Sequence, residues 1–203
     1  QRDLSVWQRN WQKILGPLVL AGAVFFLIAL ALLGASPWEN ILAGYQNRDF
    51  TMGQRLLTEA RIIWHYLSLI VLPLPARLNI AYDYPLSHGL LVPPQTLFAL
   101  LGLAVLLWSM VFLYSRQRLT AFAIFWFLLN LLIESSIIPL MLIFEHRLYL
   151  PSTMVLLAAV FWCYRCGRNL ALVRGCGIAV LVLFSFFTWQ RNTVWQSELT
   201  LWT

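Results

Sequence analysis

The chain reads as an all-α, polytopic helical membrane protein with about five spanning helices and one further helix, interfacial or re-entrant, on the outer face. Three observations predict this class. Of 203 residues, 61% are apolar and 15% aromatic, against 11% charged, whereas a soluble domain is about 45–50% apolar and about 25% charged. Mean hydropathy is +0.74. The apolar residues gather into runs near the ~20 residues that a spanning helix needs. So few charged side chains do not cover a water-soluble fold of this size, which excludes a soluble globular enzyme, a disordered chain and a disulfide scaffold.

Arg2, Arg9 and Lys13 precede the first run, Ile14–Gly34, which is too long for a signal-peptide core and has no small-residue cleavage pattern. Leu56–Leu74 is apolar but carries Arg61, His65 and Ser68 and ends in Pro73 and Pro75. Thr96–Tyr114, Leu119–Ile133 and Leu170–Trp189 read as spans, and Tyr149–Tyr164 as a shorter continuous one. Sidedness decides the role of Leu56–Leu74. With residues 1–13 cytoplasmic and five crossings, the cytoplasmic parts hold Arg2, Arg9, Lys13, Arg116, Arg118, Arg165, Arg168 and Arg174 with a single acid, Asp3. That is the distribution the positive-inside rule predicts. The bias is lost if Leu56–Leu74 crosses, so this helix is expected to lie in or dip into the outer interface. The net charge of +6 therefore reports topology; no basic cluster is dense enough for nucleic acid.

Charged residues beside these runs mark the places where chemistry is possible. Glu134-Ser135-Ser136, Pro139 and Phe144-Glu145-His146-Arg147-Leu148-Tyr149-Leu150-Pro151-Ser152 lie at the outer ends of two spans. Ionisable side chains near a bilayer are costly unless paired or functional. Arg147 offers a permanently charged donor fork suited to phosphate. His146 is a second donor or titrates near neutrality, and Glu145 and Glu134 orient these cations or act as a base. The competing reading is an interfacial Glu–Arg pair that fixes the loop.

Arg61, His65 and Ser68 are spaced four and three apart, so they share one helix face. Such a stripe faces a cavity or headgroups, or simply anchors the helix. Arg55 and Glu59, four apart, are expected to pair on the surface. The segment Pro75–Pro85, with Arg77, Tyr82, Asp83 and Tyr84, suits a sugar or an aromatic belt. Cys163 and Cys166 form one isolated C-x-x-C, a weak metal signal without a second pair or histidines. Gly-rich phosphate loops, H-E-x-x-H, G-x-S-x-G and N-x-[ST] are absent from the sequence.

The runs Arg55 through Leu67, Leu72 through Pro75, Leu78 through Pro85, Glu134 through Pro139 and Phe144 through Ser152 together resemble one membrane family. This is the C-terminal part of the membrane domain of transmembrane and tetratricopeptide-repeat proteins, O-mannosyltransferases of the GT-C fold with bacterial relatives. His146 between Glu145 and Arg147 departs from the eukaryotic pattern and is closer to a bacterial member. The resemblance implies that residues 1–189 are a partial GT-C-like domain with an outer segment 35–94, and that 190–203 lead into a periplasmic tetratricopeptide-repeat domain of a longer protein. It implies an inner-membrane protein, its N-terminus cytoplasmic and C-terminus periplasmic. It further implies transfer of a sugar from a polyprenyl-phosphate donor to an acceptor, expected to be protein, on the periplasmic or lumenal face.

The family's catalytic carboxylate lies in a loop that this sequence does not contain, so no residue here is assigned as the base. What the fragment is expected to supply is a lipid-phosphate cradle: Arg147 and His146 with Glu145 or Glu134, and more weakly Arg61 and His65. Expected partners are the lipid bilayer, the lipid-linked donor and a protein acceptor, with no nucleic acid; no cofactor is predicted and no metal is assigned. Two alternatives stand beside this reading: a non-enzymatic anchor presenting a repeat domain, and another polyprenyl-handling protein such as a ligase or flippase.

Overall fold

The structure, a computed structural model, describes residues 36–78 and 82–194. The expected span Ile14–Gly34 and the end of the expected linker lie outside the described residues. Those that are described are helical or irregular, with no strand among them. A short helix α1, Pro37–Gly44, opens with Pro37 at its first turn, where the missing N–H costs nothing. It belongs to one compact unit ending at Asp49; residues from Phe50 onward form a second.

In the second unit, α2 runs Met52–Val71. Its start is fixed by a capping box: Gln54 N–H donates to Thr51 Oγ1 at 3.3 Å, and Thr51 N–H to Gln54 Oε1 at 2.9 Å. It stops before Pro73, which disfavours helix in the residue ahead of it. The later helices are α3 Gln95–Tyr114, α4 Arg118–Leu132, α5 Tyr149–Cys166 and α6 Leu170–Val194. Helices α4 and α5 are antiparallel neighbours, joined by Trp126 Nε1–H to the Leu150 carbonyl at 2.9 Å and Trp162 Nε1–H to Thr120 Oγ1 at 2.8 Å. Trp64 of α2 packs against Gly102 of α3, where an added Cβ would come within 2.6 Å of the indole, and donates to the Ala99 carbonyl at 3.0 Å.

Three helical stretches are long and apolar enough to cross a membrane: Gln95–Tyr114, Glu145–Cys166 and Leu170–Thr193. Their large side chains face outward, as Trp108 at 66% exposure and Leu181 at 68% illustrate. Water does not tolerate so much contiguous apolar surface; lipid does. Helix α4 has 15 residues and rises about 22 Å, less than the ~30 Å hydrocarbon core. Five full-length spans are therefore not present among the described residues. The chain leaves α4 early for an irregular loop, 133–144, which the buried side of α2 supports.

Helix α2 is not laid apart from the bundle. Ile62, Tyr66 and Leu69 enter one core with Phe127 and Leu131 of α4 and Ile143 of the loop. After the turn at Pro75–Arg77, the chain returns beside α2. Arg77 reaches back to Ser68, Tyr82 and Tyr84 to His65, Pro85 to Arg61, and Ser87 to Thr58. This is an antiparallel register, so residues 52–78 and 82–87 form a helix-out, chain-back hairpin whose two ends lie together, next to Thr96 at the start of α3.

Candidate functional site

Two groups of charged residues flank α2, one on each face. On the buried face, Arg55 and Glu59 do pair, at 3.0 Å, but with side chains 0% and 3% exposed rather than on the surface. The expected spacing held while the expected location did not, because the 134–140 loop closes over them. The Arg55 guanidinium donates to the carbonyls of Ser136 at 3.1 Å, Glu134 at 2.5 Å and Leu140. A buried irregular backbone needs such donors for its freed carbonyls.

Arg147 belongs to the same loop. Its Nε lies 2.7 Å from Glu134 Oε2, with the arginine side chain 6% exposed and the carboxylate 32%. Its Nη1 donates to the Met141 carbonyl at 2.8 Å, and its guanidinium sits 4.9 Å over the Phe144 ring. Tyr66 Oη accepts from the Phe144 N–H at 3.0 Å. The loop-fixing Glu–Arg pair is thus the observed arrangement. Of the expected cradle, the Arg147 guanidinium is met by Glu134 and carbonyls, and His146 is exposed, stacked on Phe144 at 5.1 Å. We expect Arg147→Gln and Glu134→Gln to couple by about 0.5–3 kcal/mol in a double-mutant cycle of thermal stability. Strictly additive losses would show the pair to be energetically idle.

Burial pushes the Glu59 carboxyl up to about 7, against the opposing pull of Arg55 and the Ser135 hydroxyl. The folded pKa exceeds the unfolded one, so the folded state binds more protons between the two values. Stability therefore falls as pH rises from about 4.5 to about 7. The expected result is a higher melting temperature for the detergent-solubilised protein at pH 5.5 than at pH 8, with the difference reduced in Glu59→Gln. A flat profile in the parent would contradict it.

On the other face, Arg61, His65 and Ser68 share the stripe that their spacing predicts, and the returning segment completes it. Arg61 donates to the Pro85 carbonyl at 2.8 Å and Ser87 Oγ at 3.3 Å, and lies 4.9 Å over the Tyr84 ring. Arg77 donates to Ser68 Oγ at 2.6 Å. Neither guanidinium has a carboxylate within ion-pair distance among the described residues. His65 meets Tyr82 and Tyr84 edge-on at 5.7 and 5.9 Å, and its buried Nε2 has no hydrogen-bond partner. Burial first, and Arg77 second, lower its pKa. Tyr82 Oη bridges the Arg77 carbonyl at 2.7 Å and Glu145 Oε1 at 3.0 Å, which joins the hairpin to the E-H-R-L turn.

Six residues were expected to form one cradle. The structure divides them, placing Glu134 and Arg147 in the loop staple and Arg61 and His65 on the hairpin, with Glu145 linked to the hairpin through Tyr82. Arg77, read in the sequence as part of the Pro75–Pro85 segment, was not expected beside the Arg61–His65–Ser68 stripe. Its only signal was a lone cation after Pro75, and its partner Ser68 is recognisable only once the chain turns back. Asp83 is exposed. The three cysteines are free and exposed, and no group of three or more metal-ligating side chains forms among the described residues. An apolar cleft of about 240 Å³ between α3, α4 and α5, lined by Leu67, Phe127, Ala158 and Trp162 among others, holds no ionisable group. No protein-family model matches the chain, and no curated protein or solved structure is similar enough to be matched to it.

Proposed function

We propose that the chain is part of a membrane glycosyltransferase that moves a sugar from a polyprenyl-phosphate donor to an acceptor on the periplasmic or lumenal face. Within it, the hairpin residues Arg61, Arg77 and His65 receive the donor phosphate. One observation carries this reading: among the described residues, two guanidiniums stand beside a histidine nitrogen without a hydrogen-bond partner on a single face, and no carboxylate neutralises them. Elsewhere the chain meets its buried cations with carboxylates, so the exception points to an anion supplied from outside. The resemblance in the same segments supports a lipid-linked phosphate as that anion.

The chemistry follows from charge. As the sugar leaves, negative charge grows on the phosphate, and fixed guanidiniums in a poorly hydrated site stabilise it without reorganising. His65, held neutral by its lowered pKa, donates from Nε2 when that nitrogen carries the ring proton. The catalytic base is assigned to no residue of this chain. In this reading the hairpin enters and leaves from the outer side, Ile14–Gly34 and α4 complete five crossings, and the C-terminus is periplasmic.

The test is sugar transfer by the full protein in proteoliposomes supplied with polyprenyl-phosphate sugars. The parent is expected to transfer, and Arg61→Gln/Arg77→Gln to lose transfer while remaining folded. A parent that neither transfers sugar nor binds polyprenyl phosphate would identify a non-catalytic anchor.

A further inference from the structure

We propose that the opposite end of the bundle, formed by the turns 115–118 and 165–174, is a binding site for anionic phospholipid headgroups of the adjoining leaflet. Arg116, Arg118, Arg165, Arg168 and Arg174 are all exposed there. The two turns are held together, because α4 and α5 are antiparallel and Trp162 bonds to Thr120 one turn inside the end. Arg116 lies with its guanidinium 4.6 Å over the Phe112 ring, which fixes its direction. None of the five has a carboxylate within ion-pair distance among the described residues.

The described carboxylates of this unit are elsewhere. Glu59 and Glu134 surround Arg55 and Arg147, Glu145 meets Tyr82, and Asp83 lies on the returning segment. Arg118 and Glu134 stand at opposite ends of the 15-residue α4, about 22 Å apart. That exceeds the ~8 Å over which charges act in physiological salt. Among the described residues, these five positive charges therefore have no carboxylate within reach.

The kind of ligand follows from what borders the charge. Exposed apolar and aromatic side chains begin within about one turn of the arginines: Phe112, Tyr114 and Tyr164 on one side, Leu170 and Leu172 on the other. A bound anion lies against hydrocarbon-facing surface, so the complementary ligand carries a phosphate and an apolar chain together. Tyrosine at this level matches the position of a membrane–water interface. Nucleic acid meets the charge but leaves the apolar border exposed. This site is independent of the hairpin and of the glycosyltransferase reading.

The probes are phosphatidylglycerol and phosphatidylcholine, titrated against the full chain in neutral detergent and read by native mass spectrometry and thermal stability. Phosphatidylglycerol is expected to bind more tightly and to raise the melting temperature, with the preference falling as salt is increased. Arg116→Gln/Arg165→Gln is expected to weaken phosphatidylglycerol binding about 25-fold, from roughly fivefold per arginine near an anionic surface. Arg116→Lys/Arg165→Lys should retain most of it, since a lipid surface reads charge. Unchanged melting of the Gln variant in phosphatidylcholine verifies that it is folded. Equal affinity for the two lipids, or full phosphatidylglycerol binding by the folded Gln variant, overturns the proposal. So does an oligonucleotide that binds where phosphatidylglycerol does not.

Discussion

Arg55→Met is expected to lower the stability of the detergent-solubilised protein by about 3–5 kcal/mol, the scale seen when one partner of a buried ion pair is removed. The arginine is fully buried and serves four acceptors: the Glu59 carboxylate and the carbonyls of Glu134, Ser136 and Leu140. Methionine fills much of the volume but donates nothing, so Glu59 is left charged in an apolar site and three carbonyls lose their donor. Part of the first cost is removed by protonation, because the Glu59 pKa is already raised to about 7. The loss should therefore be smaller at pH 5.5 than at pH 8. Arg55→Met/Glu59→Leu is expected to recover part of the stability, with the carbonyls still unmet at about 1–3 kcal/mol for each one desolvated. Arg55→Lys should rescue poorly, since an ammonium does not span three carbonyls of an irregular loop as a planar fork does. The measurement is thermal or denaturant unfolding, with proteolysis of the 133–148 loop as a local readout. A loss below about 1 kcal/mol would place the pair among exposed, energetically minor ones.

The same residues show what a sequence discloses and what it withholds. Thr96–Tyr114 and Leu170–Trp189 are continuous apolar runs, and the structure has helices from Gln95 and Leu170. A long apolar run has few alternatives in lipid, where every backbone group must find its partner within the helix. The Arg61–His65–Ser68 stripe was equally legible, because helical periodicity alone sets it. Arg55 and Glu59 were legible only as a pair. Spacing of four residues brings two charges together on any helix, and nothing in that spacing records whether a distant loop closes over them. The loop that does so is some 80 residues away in sequence, as the separation of Arg55 from Ser136 shows. Arg147 shows the mirror image: its residue type suits phosphate, and the structure places Glu134, on the other side of the loop, against it. Residue chemistry names what a side chain is able to grip. Only tertiary pairing tells which cations the protein has already satisfied, and by that measure Arg61 and Arg77 stand apart from Arg55 and Arg147.

That distinction is expected to show most clearly in ligand affinity. Arg61→Gln/Arg77→Gln should lower affinity for a polyprenyl phosphate by at least about 100-fold, since each hydrogen bond to a charged group contributes about 1.5–3 kcal/mol. Glutamine keeps a polar donor for the Pro85 carbonyl and Ser68 but removes the charge, so the hairpin itself should hold with only a modest loss in melting temperature. Arg147→Gln should behave in the opposite way, losing stability through Glu134 while its affinity for the lipid phosphate stays essentially unchanged. His65 adds a directional test. Its pKa lies below the usual 6.5 because burial, and then Arg77, disfavour the charged ring. Above pH 7 it is neutral, and His65→Phe should lose one hydrogen bond, without electrostatic strengthening, at any pH from 7 to 9. The readout is binding of a short-chain polyprenyl phosphate to the solubilised full protein at fixed ionic strength, in parallel with melting temperature. If Arg147→Gln abolishes binding in folded protein while Arg61→Gln/Arg77→Gln does not, the phosphate sits at the E-H-R-L turn and the hairpin is structural.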